Sequence, residues 1–294
     1  IMQALAEVKP NIVIAVPLVI EKIYKSKVKP ILEKEGIKFL MKVPGLDQIV
    51  LNKVKTELIN AFGGEFYEVI IGGAAFNKEV EAFFKRMGFP FTVGYGMTEC
   101  APIITYDDWK EEKLYSCGKA APNMEVRIAS ADPVNIPGEI QVKGANVFLG
   151  YYKNETATSE VFTEDGWFRT GDMGILDTDG SLFIKGRTKC MILGPSGQNI
   201  YPEEVETALN SQPYVVDSLV IEDDGGLTAL IYPDFQQGAK DGMDQRAFLQ
   251  YIKDQLPEWN KELPNYAKLK KIEVMSEDFE RTPKKSIKRY LYQR

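Results

Sequence analysis

Apolar residues recur along the first third of the chain in a pattern that predicts a β-α-β unit. Apolar runs at residues 66–71 and 89–93 have the length of buried strands. Between them, residues 78–87 place apolar side chains at helical spacing. Asn77 is suited to cap the start of this helix, and Gly88 is suited to end it.

A small-residue loop follows each of these two strands. Residues 72–75 follow the first strand, and residues 94–96 follow the second. In a β-α-β unit the two strands are parallel, so both loops lie at carboxyl ends of strands. Open α/β sheets bind ligands at that edge, and we therefore expect a ligand site there.

From residue 119 onwards, the pattern changes to short strands and turns. Residues 124–128, 139–142 and 181–185 alternate or run apolar, and Asp179-Gly180 is typical of a two-residue hairpin turn. We interpret residues 119–188 as a small β subdomain.

The last third predicts a smaller α+β domain. Residues 215–221 and 227–232 resemble a hairpin, and Pro202 stands where a helix can begin. The predicted fold class is α/β, a partial large domain followed by a small α+β domain. The predicted boundaries are residues 1–118 for its α/β part, 119–188 for its β subdomain and 189–294 for the final domain.

Composition excludes several classes of function. The chain of 294 residues has a net charge of −6, which argues against a broad surface for nucleic acid. It contains no histidine, so a histidine base and histidine metal ligands are excluded. Three distant cysteines fit a reducing, cytoplasmic setting. No apolar run is long enough to span a bilayer.

The stretch from Gly94 to Glu99 has two interpretations. One is a glycine turn before a helix, with Thr98 as its cap and Glu99 in its first turn. The other is a ligand loop, in which Tyr95 offers a ring face and Thr98 donates to a phosphate. Glu99 would then hold a hard cation such as Mg²⁺.

The order of motifs favours the ligand loop, because it resembles the adenylate-forming (AMP-binding, acyl-CoA synthetase) superfamily. The resemblance covers nearly the whole chain. It is strongest to bacterial long-chain fatty acid–CoA ligases, through the phrase Val16-Pro17 followed by Glu21-Lys22-Ile23-Tyr24. The other motifs are Tyr95-Gly96-Met97-Thr98-Glu99, Gly138-Glu139-Ile140, Tyr151-Tyr152-Lys153-Asn154, Asp165-Gly166-Trp167-Phe168-Arg169-Thr170-Gly171-Asp172 and Asp179-Gly180-Ser181-Leu182-Phe183-Ile184-Lys185-Gly186-Arg187.

This resemblance implies an ATP-dependent ligase that joins a fatty acid to coenzyme A through an acyl-adenylate. It also implies residue roles: Thr98 and Glu99 are catalytic, with Glu99 on Mg²⁺; Gly73, Ala74, Tyr95, Gly96, Asp172 and Arg187 bind the nucleotide; Lys189 is the hinge; Gly197 lines the coenzyme A tunnel. For Gly197, an ordinary turn glycine is the alternative, and on this residue alone it has almost as much support.

The tail departs from the family pattern. The family ends in Lys-Ile-x-Arg, whose lysine enters the active site during adenylation, but this chain has Ser286-Ile287-Lys288-Arg289. Serine carries no charge. Lys285, or Lys284, reaches the site only with a shift in register, and the alternative is a solvated lysine face. The adenylation lysine is therefore unassigned.

Two other functions stay open beside the ligase: an adenylation domain that loads a carrier protein, and a catalytically weakened nucleotide- or acyl-binding protein. The chain starts at Ile1 and lacks the family's upstream phosphate loop, so we expect a fragment that is inactive alone and that can self-associate. The expected partners are fatty acid, ATP and coenzyme A, with peripheral membrane contact as a further expectation. Fatty acid chain length does not follow from these motifs.

Overall fold

The computed structural model describes residues 2–194, 197–282 and 286–294. Two compact units divide these residues. The first unit comprises the described residues up to 170 together with 174–184, and the second comprises 171–173 together with those from 185 to 294.

The first unit starts with helices around a parallel sheet and continues with shorter strands. Its elements are α1 (Met2–Val8), β1 (Ile12–Ala15), α2 (Pro17–Ile23), α3 (Lys29–Leu32), α4 (Glu35–Leu40), α5 (Leu46–Ala61), β2 (Glu68–Ile71), α6 (Lys78–Met87), β3 (Phe91–Val93), β4 (Tyr95–Gly96), β5 (Ile103–Thr105), β6 (Met124–Ala129), β7 (Gly138–Gly144) and α7 (Glu155–Glu160). Two further strands, β8 (Phe168–Leu176) and β9 (Leu182–Arg187), each include residues assigned to both units.

The predicted β-α-β unit is confirmed. Strands β1, β2 and β3 form a parallel sheet in that order, and Ile71 of β2 pairs with both Ala15 and Val93. Asn77 caps α6, because its side-chain oxygen accepts from the backbone N–H of Glu79 at 3.0 Å. The helix ends at Gly88 in the left-handed conformation, as predicted.

Apolar side chains explain why these elements pack. The apolar stripes of α5 and α6 lie in one core with Val69 and Ile71 of the central strand β2. A second core lies under the four-stranded sheet β6-β7-β8-β9. The buried stripes and strand residues of the first core include Val50, Leu51, Val54, Leu58, Val69, Ile71, Val80, Phe84, Met87 and Phe91.

The turn between β8 and β9 corrects the sequence prediction. Asp177 N donates to Ser181 O at 2.9 Å, so the hairpin loop has three residues rather than two. Gly180 takes the left-handed conformation at the last loop position. A three-residue hairpin loop also needs a residue in the left-handed conformation, so an Asp-Gly pair is compatible with it as well.

The second unit is a sheet covered by helices. Its elements are β10 (Ile192–Leu193), β11 (Asn199–Ile200), α8 (Pro202–Leu209), β12 (Val215–Asp223), β13 (Gly226–Pro233), α9 (Phe235–Lys240), α10 (Gln245–Asp254), α11 (Leu256–Glu262) and β14 (Leu269–Val274). Strands β12 and β13 pair antiparallel, and β14 joins β13 in parallel. The predicted hairpin and the helix start at Pro202 are confirmed.

None of the helices in the described ranges combines the length and the apolar character that a membrane span requires.

Candidate functional site: a signature loop and an anchored tail

The two small-residue loops lie side by side at the carboxyl edge of the parallel sheet. Gly72 N donates to Ala15 O at 3.2 Å, and Gly94 N donates to Ile71 O at 2.9 Å. A Cβ added to Gly72 would lie 3.2 Å from Gly94 O, so the two backbones approach closely. Gly73, at φ +86°, and Ala74 are exposed beside them. The structure therefore brings the predicted pocket residues 73–74 to the start of the second loop.

Residues 94–102, here called the signature loop, are closed by the backbone. Met97 N donates to Pro102 O at 2.8 Å. A Cβ on Gly96 would lie only 1.9 Å from that same oxygen. Gly96 therefore has a packing reason to be glycine, separate from any ligand.

The helix-cap interpretation of Thr98 is wrong. Residues Thr98–Cys100 form a single 3₁₀ turn whose N-cap is Met97, without a side-chain capping bond, and no α-helix follows. Within the described part of the chain, the exposed Thr98 hydroxyl has no hydrogen-bond partner. It remains available to a ligand.

Tyr95 lies mostly inside the protein. Its backbone pairs with Thr105 across β4 and β5, and its side chain joins the core that contains Cys100 and Ile104. Only 8% of Tyr95 is exposed. Its contact with the nucleotide remains a prediction.

Glu99 is held at two points by the segment before α7. Phe148 N donates to the Glu99 carbonyl at 2.8 Å, and the Tyr151 hydroxyl donates to Glu99 Oε1 at 3.1 Å. Burial, and then this bond to Glu99, raise the pKa of Tyr151. Tyr151 belongs to a motif quoted above, but no sequence signal linked it to a residue 52 positions earlier.

Asp172 and Arg187 come together within the second unit. Arg187 Nε lies 3.2 Å from Asp172 Oδ1. Asp172 is nearly buried, whereas 70% of the Arg187 side chain is exposed. Gly171, at φ +73°, turns the chain just before the aspartate. The structure thus pairs two residues that the family resemblance assigns to the nucleotide.

The predicted hinge and tunnel residues lie on exposed turns of the second unit. Lys189 belongs to a 3₁₀ turn, Thr188–Cys190, and is exposed. Burial, followed by the charge of Glu203, raises the pKa of the Cys190 thiol to about 11. Gly197, at φ +77°, has open space where a Cβ would stand, so its glycine is explained by backbone conformation alone. The roles of Lys189 and Gly197 stay predictions.

In the tail, residues 281–282 pair with residues 286–287, and Ser286 is exposed. Thr282 N donates to Ser286 O at 2.8 Å, and Arg281 bridges to Ile287. The two lysines considered for adenylation, Lys284 and Lys285, lie outside the described residues.

A buried ion pair anchors the tail just after Ser286. Arg289 Nη2 lies 2.7 and 2.5 Å from the two carboxylate oxygens of Glu206, and Arg289 Nη1 donates to Val220 O at 3.0 Å. Burial raises the pKa of Glu206 to about 7, even though Arg289 and the Val220 N–H oppose that rise. No pattern in the sequence predicts this pair, whose members are 83 residues apart.

Metal ligands are sparse in this site. Among the described residues, no group of three histidine, cysteine, aspartate or glutamate residues is placed to hold a metal ion. The carboxylate of Glu99 and the neighbouring Thr98 hydroxyl still suit Mg²⁺, which proteins often bind through one carboxylate together with the phosphates of a substrate.

Comparison with protein families gives two matches. A model described as AMP-binding enzyme matches residues 1–152, and a model described as AMP-binding enzyme C-terminal domain matches residues 191–294.

Individual relatives include two kinds of CoA ligase. The chain is 32% identical over 247 residues to the long-chain-fatty-acid–CoA ligase FadD15 of Mycobacterium bovis, covering 76% of this chain and 39% of that protein. It is 36% identical over 182 residues to the 2-succinylbenzoate–CoA ligase of Bacillus cytotoxicus, covering 58% and 37%.

A solved structure shows the same fold. The O-succinylbenzoate coenzyme A synthetase (MenE) of Bacillus subtilis, in complex with ATP and magnesium ion, superposes with a TM-score of 0.72. Its sequence identity is 24%, and the match covers 98% of this chain and 52% of that one. The chain thus spans about half of this solved relative and about two fifths of the curated relatives.

Proposed function

The chain belongs to the AMP-binding enzyme family, and from this membership we propose that the full-length protein is an AMP-forming ligase that joins long-chain fatty acids to coenzyme A. The observation that carries the proposal is the geometry of the carboxyl edge. Two small-residue loops lie there side by side, and Thr98 and Glu99 follow the second loop directly. Such an edge suits a nucleotide.

In this proposal, the substrate carboxylate attacks the α-phosphate of ATP, and pyrophosphate leaves. Thr98 donates to phosphate oxygens, and Glu99 holds Mg²⁺, which supplies charge neutralisation when bound. The thiol of coenzyme A then attacks the acyl carbonyl, and AMP leaves. The protein contributes positioning and charge rather than a covalent intermediate.

The ribose contacts of the proposed function are assigned to Asp172 and Arg187. Asp172 accepts hydrogen bonds from ribose hydroxyls, and Arg187, already held beside it, reaches the ribose or its phosphate. Support comes from their pairing at 3.2 Å, which keeps a carboxylate and a guanidinium together.

Fatty acid and aryl acid substrates are the alternatives that the relatives raise, since FadD15 and 2-succinylbenzoate–CoA ligases are both similar to this chain. We favour fatty acids because the match to FadD15 extends over more of the chain. A panel of short-, medium- and long-chain acids with 2-succinylbenzoate, ATP and coenzyme A tests this choice. The products are followed by mass spectrometry.

Long-chain acyl-CoA supports the proposal, and product from 2-succinylbenzoate alone contradicts it. A carrier-loading domain would instead transfer the acyl group to a carrier protein added in place of coenzyme A. A weakened binding protein, which the uncharged Ser286 favours, would bind ATP without exchanging pyrophosphate.

The proposal includes contact with a membrane surface through α2 to α4 and the chain that follows. Residues 21–42 hold seven lysines and three glutamates, a net charge of +4 in a chain of −6. All seven lysines are exposed, and Phe39 and Ile49 nearby are 68% and 65% exposed. Clustered lysines beside exposed apolar side chains suit an anionic bilayer.

Sedimentation with vesicles tests this contact. The full-length protein should bind vesicles that contain phosphatidylserine and not pure phosphatidylcholine. A Lys34→Glu, Lys38→Glu double variant should lose binding, and equal binding to both vesicles contradicts the contact.

A further inference from the structure

The segment between β7 and α7 holds Glu99 by both its backbone and its side chain. Phe148 N binds the Glu99 carbonyl at 2.8 Å, and the Tyr151 hydroxyl binds Glu99 Oε1 at 3.1 Å. Within the described residues, no hydrogen bond or ion pair reaches Glu99 Oε2. One carboxylate oxygen is therefore fixed by the protein, and the other stays available.

Tyr151 is itself held in place. Its ring packs edge-on against Phe148, with ring centroids 4.9 Å apart, and its backbone N–H donates to Thr158 Oγ1 at 2.9 Å. The chain before it passes so close to α7 that a Cβ on Gly150 would lie 2.6 Å from Thr158 Cγ2. The phenol is thus presented by a tightly packed turn and not by a freely rotating side chain.

A fixed phenol matters because the terminal torsion of a glutamate is otherwise broad. Binding Oε1 selects one orientation of the carboxylate and aims Oε2 away from the phenol. Groups that orient a metal ligand in this way affect metal affinity even though they do not touch the metal.

We propose that Tyr151 is a positioning residue that orients the Glu99 carboxylate for the divalent cation that accompanies ATP. The inference rests on the proposed function, because that function places the cation on Glu99. Tyr151 makes no contact with substrate and acts only through Glu99.

The test uses Tyr151→Phe in the full-length protein, with Tyr152→Phe as a matched control. Phenylalanine keeps the ring that packs on Phe148 and removes only the hydroxyl. Tyr152 is 89% exposed, and the ammonium group of Lys153 lies over its ring. Far-ultraviolet circular dichroism and the melting temperature confirm that both variants fold.

Mn²⁺ serves as the probe, with its affinity measured by electron paramagnetic resonance in the presence of a non-hydrolysable ATP analogue. Tyr151→Phe should weaken Mn²⁺ binding by about 10-fold, the lower end for groups that orient metal ligands. Tyr152→Phe should leave it unchanged. In the ligase assay, the Mg²⁺ concentration for half-maximal rate should rise, while the rate at saturating Mg²⁺ stays the same.

A double-mutant cycle separates positioning from general packing. If Tyr151 acts through Glu99, Tyr151→Phe should have no further effect on residual Mn²⁺ affinity in a Glu99→Gln background. Wild-type Mn²⁺ affinity in Tyr151→Phe, or an equal loss in both backgrounds, overturns the inference. A protein that binds Mn²⁺ and the analogue but makes no acyl-CoA overturns the proposed reaction while leaving the inference standing.

Discussion

The signature loop, residues 94–102, and the described part of the tail, residues 281–282 and 286–289, are fixed by different forces. The loop is closed by a backbone bond from Met97 to Pro102 and steadied by the neutral phenol of Tyr151. The tail is fixed by guanidinium groups: Arg289 binds Glu206, and Arg281 Nη2 lies 2.7 Å from Asp217.

Because of this difference, the two regions tolerate amino-acid substitutions at different positions. The backbone closure of the signature loop depends on the absence of a side chain at Gly96. The ionic anchor of the tail depends on the charged side chains of Arg281 and Arg289, and not on the side chain of residue 286. The tail can therefore keep its register while residue 286 changes identity. A serine at position 286 therefore leaves the anchoring ion pairs of the tail in place.

The largest expected effect comes from removing the ionic anchor. Arg289→Ala leaves Glu206 buried without its cation, and breaking such a pair costs about 3 kcal/mol of unfolding free energy. Urea unfolding of the chain measures the loss. Hydrogen exchange of β12, whose Val220 N–H binds Glu206, assigns it to the second unit.

The adjacent residue provides the control. Lys288 pairs at 3.1 Å with the largely exposed Glu280, so Lys288→Ala should cost much less. Equal losses in the two variants would mean that the anchor contributes no more than a surface pair does.

The next effect concerns the charge missing at Ser286, in the anchored tail. In the full-length protein, Ser286→Lys should raise the rate of pyrophosphate exchange by about 10²-fold, the size expected of one charged group placed at a transition state. Lys285→Ala should leave the exchange of the wild-type protein unchanged. A large loss in Lys285→Ala would instead assign the role to Lys285.

The sequence predicted local structure better than it predicted anchors. The cap at Asn77 and the hairpin of β12 and β13 were predictable because each depends on residues close together in the chain. Small residues after strands placed the signature loop at the carboxyl edge for the same reason.

Contacts between distant residues were not predictable. Neither the phenol that binds Glu99 nor the guanidinium that binds Glu206 leaves a periodic pattern, because each joins residues 52 or 83 positions apart. The resemblance to a family named the candidate residues of the site. It carried no information on which neighbours hold them.

A smaller effect is expected in the signature loop. In Gly96→Ala, the new methyl group meets Pro102 O at 1.9 Å unless the backbone shifts, and overpacking of this kind costs about 1–3 kcal/mol. Gly94→Ala is the matched control, because its Cβ would stand at an ordinary 3.5 Å from Thr105 O. Thermal unfolding compares the two variants. A Gly96→Ala protein as stable as Gly94→Ala would show that the closure at Pro102 is loose.

The smallest effect is a pH dependence of the ionic anchor. Burial raises the pKa of Glu206 from 4.5 to about 7, although Arg289 and Val220 N–H lower it and Glu203 raises it further. At pH 6 the folded protein therefore holds a proton that the unfolded chain has released. The second unit should lose stability as pH rises from 6 to 8, by on the order of 1 kcal/mol for one proton.

Glu206→Gln removes this titration while keeping a side chain of the same shape. Exchange protection of β12 in the variant should then be level between pH 6 and 8, after correction for the intrinsic exchange rate. The local readout matters because burial also raises the pKa of Glu81, in the first unit, to about 7. Protection that rises with pH in the wild-type protein would mean that the attraction of Arg289 outweighs the burial of Glu206. In that case the ion pair would be a net stabilising interaction in the tail. The tail would then depend on charge, whereas the signature loop is held by the neutral phenol of Tyr151.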